Sequence, residues 1–535
     1  MMDEKRPSAA DSSSTHPASF NDALHFYQAG HLKEAEKLFR QVLHDHPGHA
    51  ASLRYLGVVA FHFGRNDEAV DYLRQAVAGQ PDYVEAWNNL TVVLENQGKF
   101  AEAEASCRQA LRHKPDDAFA HSNLGHILQR QGKLAEAEAS CRAALRFKPD
   151  LAEAFGRLGT VLQCQGRLQE AEECCRRALA LDPHRADAHN ELGCSLLEQG
   201  KLAESQACFE QALRFRPDNA VFHYNLAHVL LMRGDYLRGW AEYEWRERRK
   251  KRPLVLPQPL WDGSALAGRR ILLHWEQGLG DTLQFIRYAP LVKERGGIVI
   301  VVCPRPLVKL LSGCAGIDQV VAAGNPVPAF DTHAPLMSLP HIFKTTLATI
   351  PAQVPYLFAD AERRRRWGNA IADSPLKVGI AWQGHPDHPG NSLRSVPLSA
   401  FASLAEVAGV RWISMQYGPG TEQLARTIDG FAVLDLGSQC ADFEDAAAAI
   451  MNLDLMITVD SVMAHCAGAL GVPTWVLLRS ASCFRWLKDR EDSPWYPSLR
   501  LFRQSRWGDW DGVFARVKQA LHVVRRAEPR KGPGE

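Results

Sequence analysis

The sequence lacks most of the features that would direct a protein to nucleic acid, a membrane or a metal. Its formal net charge is only +1 over 535 residues, which gives no bulk attraction to nucleic acid or anionic lipid. Its most apolar stretch, Ile298–Cys303, has the length of a strand and is too short to span a bilayer. The 12 cysteines form no Cys-x-x-Cys pair and no spacing typical of zinc ligands. We therefore expect no nucleic-acid partner, no membrane span and no metal site.

The two ends of the chain are predicted to be disordered tails. Residues 1–15 are rich in Ser, Ala and charged side chains and lack the continuous apolar segment of a secretory signal. Residues 525–535 have a similarly polar composition. Without an export signal, we expect reduced thiols and a cytoplasmic location. The 535 residues are too many for one hydrophobic core, so two or three domains are expected between the tails.

A period of 34 residues runs through the first half of the chain. Glycine recurs with this spacing at Gly30, Gly64, Gly98, Gly132, Gly166, Gly200 and Gly234. Proline recurs with it at Pro47, Pro81, Pro115, Pro149, Pro183 and Pro217. The glycine suits the end of a first helix and the proline stops a second one. This pattern is typical of the tetratricopeptide repeat (TPR) and predicts an α-solenoid over residues 16–250, with six full repeats and a partial seventh.

Two further positions share the period and indicate close packing. A small residue recurs at Ala35, Ala69, Ala103, Ala137, Ala171 and Ser205, where two helices would approach closely. Cys107, Cys141 and Cys175 also lie 34 residues apart. Because they occupy one repeated position, we predict that they fill a core slot and take no part in chemistry.

The groove of the predicted solenoid carries a row of asparagines. One position of each first helix holds Asn21, Asn89, Asn123 and Asn225, and the row is interrupted at Tyr55, Arg157 and Glu191. A carboxamide both donates and accepts hydrogen bonds, so it can pair with the backbone of an extended peptide. The row resembles the asparagine ladder of the protein O-GlcNAc transferases, which implies a protein or peptide partner. Alternatively, Asn is simply a common TPR residue at this position.

The second half predicts strands that alternate with helices. Buried strands are expected near residues 271–275, 298–302, 378–382, 411–415, 455–460 and 473–478. After a linker over 251–268, we predict two Rossmann-like domains, over 269–375 and 376–524, with a ligand cleft between the carboxyl ends of their strands. The basic run Arg246–Arg252, which extends into the start of the linker, is expected to be a solvated helix end. The third glycine of a dinucleotide fingerprint is absent after Gly278 and Gly280, so NAD binding is not supported.

Three segments carry a more specific resemblance. Gly-Leu-Gly-Asp-Thr-Leu-Gln-Phe at 278–285 is similar to the opening loop of the heptosyltransferase-like glycosyltransferase family 9, and residues 459–471 are similar to its donor-site turn. Residues 490–497 and 500–504 resemble bacterial proteins that join TPR repeats to such a domain. The resemblance implies a GT-B fold, a nucleotide-diphosphate sugar as co-substrate, and catalysis without a metal or other cofactor.

The candidate donor site is predicted from the residues themselves. The turn at Asp460 and Ser461 leads into a helix, whose free N–H groups and dipole suit a pyrophosphate. His465 lies one helical turn after Ser461 on the same face. Arg394, in a loop with Asn391, can hold a phosphate and offset the charge on the leaving nucleotide. Glu444 is a weaker candidate for the nucleotide ribose. By the resemblance, Asp281 is the general base that deprotonates the acceptor hydroxyl.

Each of these assignments has a structural alternative. Asp281 can serve only as a helix cap, Arg394 as a solvated loop cation and His465 as an interior histidine. The sequence also departs from the family pattern, with Cys483-Phe484-Arg485-Trp486 in place of a Trp-Arg-Trp-like segment and Ser461 in place of Thr. We therefore carry two hypotheses: a glycosyltransferase acting on a protein or a cell-surface glycan, and a TPR scaffold whose second half is degenerate or only senses sugar nucleotides.

Overall fold

A computed structural model describes residues 18–249, 254, 256–371, 374, 376–387, 390–425 and 430–527. The chain divides into two compact units, one of Met1–Leu196 with Arg214–Pro217 and one of Leu197–Leu213 with Asp218–Glu535. The predicted first tail lies outside the described residues, as do residues 528–535 of the second. None of the described helices combines the length and apolarity needed to cross a membrane.

The first half is built from helix pairs, which confirms the predicted TPR solenoid. The helices are α1 (Ala18–Gln28), α2 (Leu32–Asp45), α3 (Ala50–His62), α4 (Asn66–Gly79), α5 (Val84–Asn96), α6 (Phe100–His113), α7 (Ala118–Arg130), α8 (Leu134–Phe147), α9 (Ala152–Cys164), α10 (Leu168–Leu181), α11 (Ala186–Glu198), α12 (Leu202–Phe215), α13 (Ala220–Met232) and α14 (Tyr236–Tyr243). From α1 to α10 each helix packs on the next, and α3, α5, α7 and α9 also pack side by side. This stacking of first helices is what defines a solenoid.

The repeated glycines end the first helix of each pair, as predicted. All seven have a positive φ, between 74° and 83°. L side chains rarely adopt this left-handed conformation, whereas glycine does so without steric cost. The residue type at this position is therefore set by the backbone turn between the two helices of a repeat.

The repeated cysteines fill the core slot that their spacing predicts. Cys107, Cys141 and Cys175 are buried, and burial raises the pKa of Cys107 and Cys141 to about 12. Two of them pack against glycines of the preceding helix: a Cβ added at Gly159 would lie 2.7 Å from Cys175 Sγ, and one at Gly125 would overlap Cys141 Sγ. The thiols of Cys107 and Cys141 therefore stay protonated at neutral pH, and all three side chains act as small apolar groups.

The described residues of the second half form two parallel sheets. The strands are β1 (Arg270–His274), β2 (Ile298–Cys303), β3 (Gln319–Ala322), β4 (Thr332–Pro335), β5 (Leu376–Ala381), β6 (Val410–Ser414), β7 (Val433–Asp435), β8 (Leu455–Val459), β9 (Thr474–Leu478) and β10 (Leu499–Arg503). The four-stranded sheet has the order β3-β2-β1-β4, and the six-stranded sheet has the order β10-β9-β8-β5-β6-β7. The six strands expected from the sequence are all present, within two residues at each end. This half is therefore an α/β structure.

Short helices connect the strands, and a longer helix follows the last strand. They are α15 (Leu279–Phe285), α16 (Ala289–Lys293), α17 (Val308–Ser312), α18 (Leu339–Ile342), α19 (Ala361–Ala370), α20 (Asn391–Arg394), α21 (Phe443–Ile450), α22 (Val462–Ala469) and α23 (Trp510–Ala527). The last of these corrects one prediction. Residues 525–527 were assigned to the second tail, but α23 continues through them because its apolar side chains, such as Val517 and Leu521, pack on the larger sheet's core.

Each sheet has one point where the chain order reverses. In the smaller sheet this point lies between β1 and β4, and in the larger sheet it lies between β5 and β8. Loops diverge there and leave a crevice at the carboxyl ends of the strands, where ligands of α/β proteins bind. The segment after β1 contains Asp281, and the segment after β8 contains Asp460 and Ser461.

The last repeat helices share one core with the sheets of the second unit. Tyr236, Trp240 and Tyr243 of α14 are buried in the same cluster as Leu273 of β1. The ring of Trp240 lies 5.5 Å from that of Phe484. By packing, α13 and α14 therefore belong to the second unit, together with the α/β structure.

Arg246 strengthens this connection and corrects the prediction of a solvated basic run. Its side chain is only 2% exposed and donates from Nε and Nη2 to the two carboxylate oxygens of Glu276, at 3.1 and 2.9 Å. Nη2 also donates to Ser338 Oγ at 2.7 Å. A charged pair can be buried only when it is satisfied in this way. Residues 250–252 of the run lie outside the described residues.

Candidate functional site

The turn after β8 presents Asp460 and Ser461 at the start of α22. Ser461 is the N-cap residue, and its hydroxyl accepts a hydrogen bond from Met463 N at 3.3 Å. The same hydroxyl lies 3.1 Å from Thr458 Oγ1. Ser461 therefore orients the first turn of the helix, which suits the predicted pyrophosphate site without testing it.

The Asp281 carboxylate has partners on both oxygens. Oδ2 accepts a hydrogen bond from Gly278 N at 2.9 Å, at the start of α15. Oδ1 forms an ion pair with Arg485 Nη2. The capping alternative therefore has a physical basis, and the role of Asp281 as a base stays a prediction.

Arg485 connects Asp281 to Asp460. Its Nε donates to Gln284 Oε1 at 3.0 Å, and its Nη1 donates to Cys483 Sγ at 3.6 Å. The Cys483 thiol in turn donates a hydrogen bond to Asp460 Oδ2, over an Sγ–Oδ2 distance of 3.8 Å. Burial raises the pKa of Cys483, and the Asp460 charge adds to this effect, so the thiol keeps the proton that it donates.

Sequence reasoning missed Arg485 and Cys483 as members of this group. The only signal was that residues 483–486 depart from the Trp-Arg-Trp-like segment of the resembling family. The side chains of Asp281 and Arg485 are 17% and 13% exposed, so the pair is largely shielded from water. We refer to Asp281, Arg485, Cys483 and Asp460 as the cleft group.

His465 lies beside the cleft group as a buried, neutral side chain. Its Nδ1 is 2.9 Å from Tyr496 Oη, and its ring stacks on Trp486 at 5.4 Å. Burial lowers its pKa to about 4, with the Arg485 charge as a second cause. A Cβ at Gly280 would lie 2.8 Å from His465 Cδ2, so this glycine lets α15 approach α22. The contacts agree with the interior-histidine alternative and leave a role in donor binding untested.

Arg394 and Asn391 lie at the carboxyl end of β5, next to β8 in the sheet. A Cβ at Gly384 would lie 2.9 Å from Arg394 Nη2, so the guanidinium packs against this loop. Arg394 Nε is buried with no hydrogen-bond partner among the described residues. Asn391 Oδ1 accepts a hydrogen bond from Ser395 Oγ at 2.9 Å and fixes the same loop. No hydrogen bond or ion pair between described residues joins Arg394 to the cleft group.

Glu444 has a structural contact. It lies on α21, and its Oε1 accepts a hydrogen bond from Asp360 N at 2.6 Å, at the start of α19. Burial raises its pKa. The structure thus gives Glu444 a role in holding α19, and its predicted contact with a ribose stays a prediction.

The predicted asparagine row is partly used within the protein. Arg157 Nη1 donates to Asn123 Oδ1 at 2.7 Å, and Arg157 Nη2 pairs with Glu153 at 2.6 Å. Asn89 is 8% exposed and its Nδ2 has no partner in the described part of the chain. Asn21 is exposed, whereas Asn225 belongs to the second unit. An interrupting residue, Arg157, therefore occupies the carboxamide oxygen of one asparagine of the row.

Glu191, one of the interrupting residues, has a buried carboxylate oxygen. Its side chain packs against Gly156, and Oε2 is buried with no partner among the described residues. Burial raises the pKa of Glu191 from 4.5 to about 7. The folded chain thus binds a proton that the unfolded chain has released between these pH values, and stability falls as the pH rises through this window.

We expect Glu191→Gln to stabilise the first unit above pH 7. A shift of this size corresponds to at most about 3 kcal/mol, and the advantage should vanish toward pH 4, where both states of the wild type are protonated. Urea unfolding followed by circular dichroism at several pH values measures it. The exposed Glu136→Gln is the matched control. A stability difference that does not change between pH 4 and pH 8 would contradict the assignment.

A separate cavity of about 880 Å³ lies elsewhere in the second unit. Its walls include Trp240, Trp261, His274 and His333. The two histidines are 3.3 Å apart, between Nε2 of His274 and Nδ1 of His333. None of the predicted site residues lines this cavity, so its size is not an argument for the predicted donor site.

Comparison with known proteins supports the first half of the chain. Models of the tetratricopeptide repeat match residues 20–84, 92–152, 150–218 and 208–241. These matches agree with the helix pairs and the 34-residue period. The first half of the chain is therefore a TPR protein-interaction scaffold.

A curated relative extends the similarity beyond the repeats. Protein FlbA of Caulobacter vibrioides is 27% identical over an alignment of 316 positions, which covers 53% of this chain and 52% of FlbA. The chain thus spans about half the length of this relative.

Several solved structures are similar to part of the chain. TTC0263, a TPR protein of Thermus thermophilus, has 25% identity and a TM-score of 0.30, and covers 34% of this chain and 97% of its own. PilF of Pseudomonas aeruginosa has 19% identity and a TM-score of 0.31, with 38% and 97% covered. YrrB, described as a TPR protein with an unusual peptide-binding site, has 18% identity and a TM-score of 0.27, with 34% and 95% covered.

Proposed function

We propose that the α/β half is a GT-B glycosyltransferase domain. It transfers a sugar from a nucleotide-diphosphate sugar to a hydroxyl group of a protein that the repeats bind. The observation that carries this proposal is the cleft group, in which Asp281 and Asp460, from the ends of two different sheets, are joined through Arg485 and Cys483. A base and a phosphate site must be close together for such a transfer.

The position of the cleft group in the topology supports a ligand site. Asp281 follows β1, and Asp460 follows β8, each beside the point where its sheet reverses order. These are the places where open parallel sheets bind nucleotides. A carboxylate at the end of a buried strand is also costly unless it has partners or a function.

The chain supplies a group for each step of the proposed transfer. Arg394, with its unpartnered Nε, and the N-terminus of α22 would hold the diphosphate and balance the charge that develops on it as the glycosidic bond breaks. Asp281 would accept the proton of the attacking hydroxyl. Asp460 would accept hydrogen bonds from the sugar.

The acceptor is proposed to be a protein because the repeats are a protein-interaction scaffold. Asn21 of the asparagine row is exposed, and its carboxamide can pair with a backbone carbonyl of an extended segment. A cell-surface glycan remains the alternative acceptor, and transfer assays with both substrate classes separate the two.

A second candidate is a TPR scaffold whose α/β half binds sugar nucleotides without turnover. The observation that favours it is that both Asp281 oxygens already have partners, one of them a helix N-terminus. A sensor and an enzyme bind the same ligand, so turnover and not binding distinguishes them.

The proposed function is tested first by a thermal-shift screen of UDP-, GDP-, CDP- and ADP-sugars on the full chain. A ligand that binds only the folded state raises the melting temperature by mass action. A shift with one nucleotide class, followed by transfer to a protein acceptor, would support the enzyme. If none of the sugar nucleotides shifts the melting temperature, the donor site is wrong.

We expect Asp460→Ala and Arg394→Ala each to weaken sugar-nucleotide binding by roughly 10- to 100-fold, because each removes a charged partner from the ligand. Isothermal titration calorimetry measures the affinity. The control is Glu406→Gln, because the Glu406 side chain is 74% exposed in a surface ion pair with Lys518. Wild-type affinity in both alanine variants would show that the site lies elsewhere.

A further inference from the structure

We infer that Asp281 and the diphosphate of the donor compete for Arg485. Arg485 would then act as a gate that frees the base only when a donor is bound. This inference rests on the proposed function. It assigns a role to a residue that sequence reasoning did not include among the site residues.

The contacts of Arg485 suit an exchange of partners. Two of its three nitrogens donate to uncharged groups, Gln284 Oε1 and Cys483 Sγ, at 3.0 and 3.6 Å. Within the described part of the chain, Nη2 alone meets an anion, the Oδ1 atom of Asp281. The aromatic ring of Phe484 lies 4.5 Å from Cζ, so the guanidinium is stacked as well as hydrogen-bonded. Gln284, Cys483 and Phe484 can hold the guanidinium in place while its anionic partner changes.

The location of Arg485 brings a diphosphate within its range. Cys483, which its Nη1 contacts, also contacts Asp460 at the start of α22. The N-terminus of α22 is the proposed pyrophosphate site. Guanidinium groups bind phosphate oxygens with paired hydrogen bonds, and a diphosphate carries more charge than one carboxylate. A bound diphosphate can therefore replace Asp281 as the anionic partner.

The exchange has a consequence for the order of events. While Oδ1 of Asp281 is paired with Arg485, that oxygen is occupied and is not available to a hydroxyl group of the acceptor. When Arg485 turns to the diphosphate, Oδ1 is released, while Oδ2 stays on Gly278 N and keeps the side chain oriented. Acceptor activation would thus follow donor binding, which limits wasteful activation of water.

The gate makes a prediction that a purely structural ion pair does not make. Asp281→Asn should bind nucleoside diphosphates more tightly than the wild type, by roughly 10-fold, since one charge-assisted hydrogen bond no longer competes. Asparagine keeps an oxygen for Gly278 N, so the helix cap is retained. Isothermal titration calorimetry of UDP, GDP, CDP and ADP against the full chain gives the affinities.

Three further variants make the test specific. Glu406→Gln makes the same change of net charge at an exposed ion pair and should leave the affinity unchanged. Arg485→Gln keeps a hydrogen-bond donor but removes the charge, and should weaken binding. In the Arg485→Gln background, Asp281→Asn should no longer tighten binding, since the effect passes through Arg485. Melting temperatures of all variants show whether each is folded.

The outcomes separate the gate from the function on which it rests. The gate is supported if Asp281→Asn binds a nucleoside diphosphate more tightly than the wild type and this gain is lost in the Arg485→Gln background. Equal affinity of the wild type and Asp281→Asn for a nucleotide that both bind overturns the gate and leaves the proposed function standing. If neither protein binds any of the four nucleotides, the proposed function fails and the gate fails with it.

Discussion

Replacing Asp281 with asparagine is expected to reduce turnover by roughly 10²–10⁴-fold, the usual contribution of a positioned general base. The asparagine oxygen can still accept the hydrogen bond from Gly278 N, so the start of α15 is preserved. The side chain can no longer take a proton from an acceptor hydroxyl. Turnover should therefore fall although the protein stays folded and binds the donor at least as tightly.

The comparison with Asp281→Ala separates catalysis from capping. If Asp281 only caps its helix, asparagine should give near-normal turnover, and alanine should lower stability by about 1 kcal/mol. Initial rates and melting temperatures of both variants measure the two effects. Normal turnover by the asparagine variant would remove Asp281 from the mechanism. His465 would then be the next candidate, although its pKa of about 4 makes its neutral imidazole a weak base.

The second large effect is expected on folding, when the chain is truncated at two different positions before the sheets. A chain that begins at residue 253 would lose Tyr236, Trp240 and Tyr243, all at most 1% exposed in the core that they share with the sheets. Removing a single buried Trp side chain costs about 3–5 kcal/mol, and a whole protein is stable by only about 5–15 kcal/mol. We expect this chain not to fold cooperatively.

A chain that begins at residue 197 is the matched comparison. It retains α12–α14, the ion pair of Glu198 with Arg479 at 2.9 Å, and the hydrogen bond from Lys488 to Gly200. We expect it to fold and to bind the sugar nucleotide, but to lose most transfer to a protein acceptor, because the first unit is missing. Thermal unfolding and transfer assays of both chains test this. A cooperative transition in the shorter chain, or full transfer by the longer one, would contradict it.

Much of the architecture follows from local sequence patterns. The 34-residue period predicts the helix pairs, because each repeat needs the same glycine turn, the same small residue and the same proline. Apolar runs such as 298–303 predict buried strands, because parallel strands are covered on both faces. The buried position of the repeated cysteines was equally predictable, because Cys107, Cys141 and Cys175 share one position of the period. These features depend on spacing along a few tens of residues.

The candidate site was predictable only in part. Asp460 was found because it directly follows a buried strand, and His465 because it lies one helical turn after Ser461. Asp281 was found through the resemblance of residues 278–285 to the heptosyltransferase-like family. The sequence did not predict that Arg485 brings these residues close together, because Arg485 and Asp281 are 204 residues apart in sequence. For Glu444 the sequence suggested a ligand, whereas the structure shows a contact with the N-terminus of α19.

The sequence by itself determined the repeats, the parallel strands and the residues at the carboxyl ends of those strands, since hydrophobic periodicity and turn chemistry act locally. Only the tertiary structure decided which residues meet. It buried Arg246 against Glu276, merged the last repeat helices with the core of the sheets, and paired Arg485 with Asp281. Such contacts depend on how distant elements pack, and a single sequence carries no local signal for the partner that a buried charge will find.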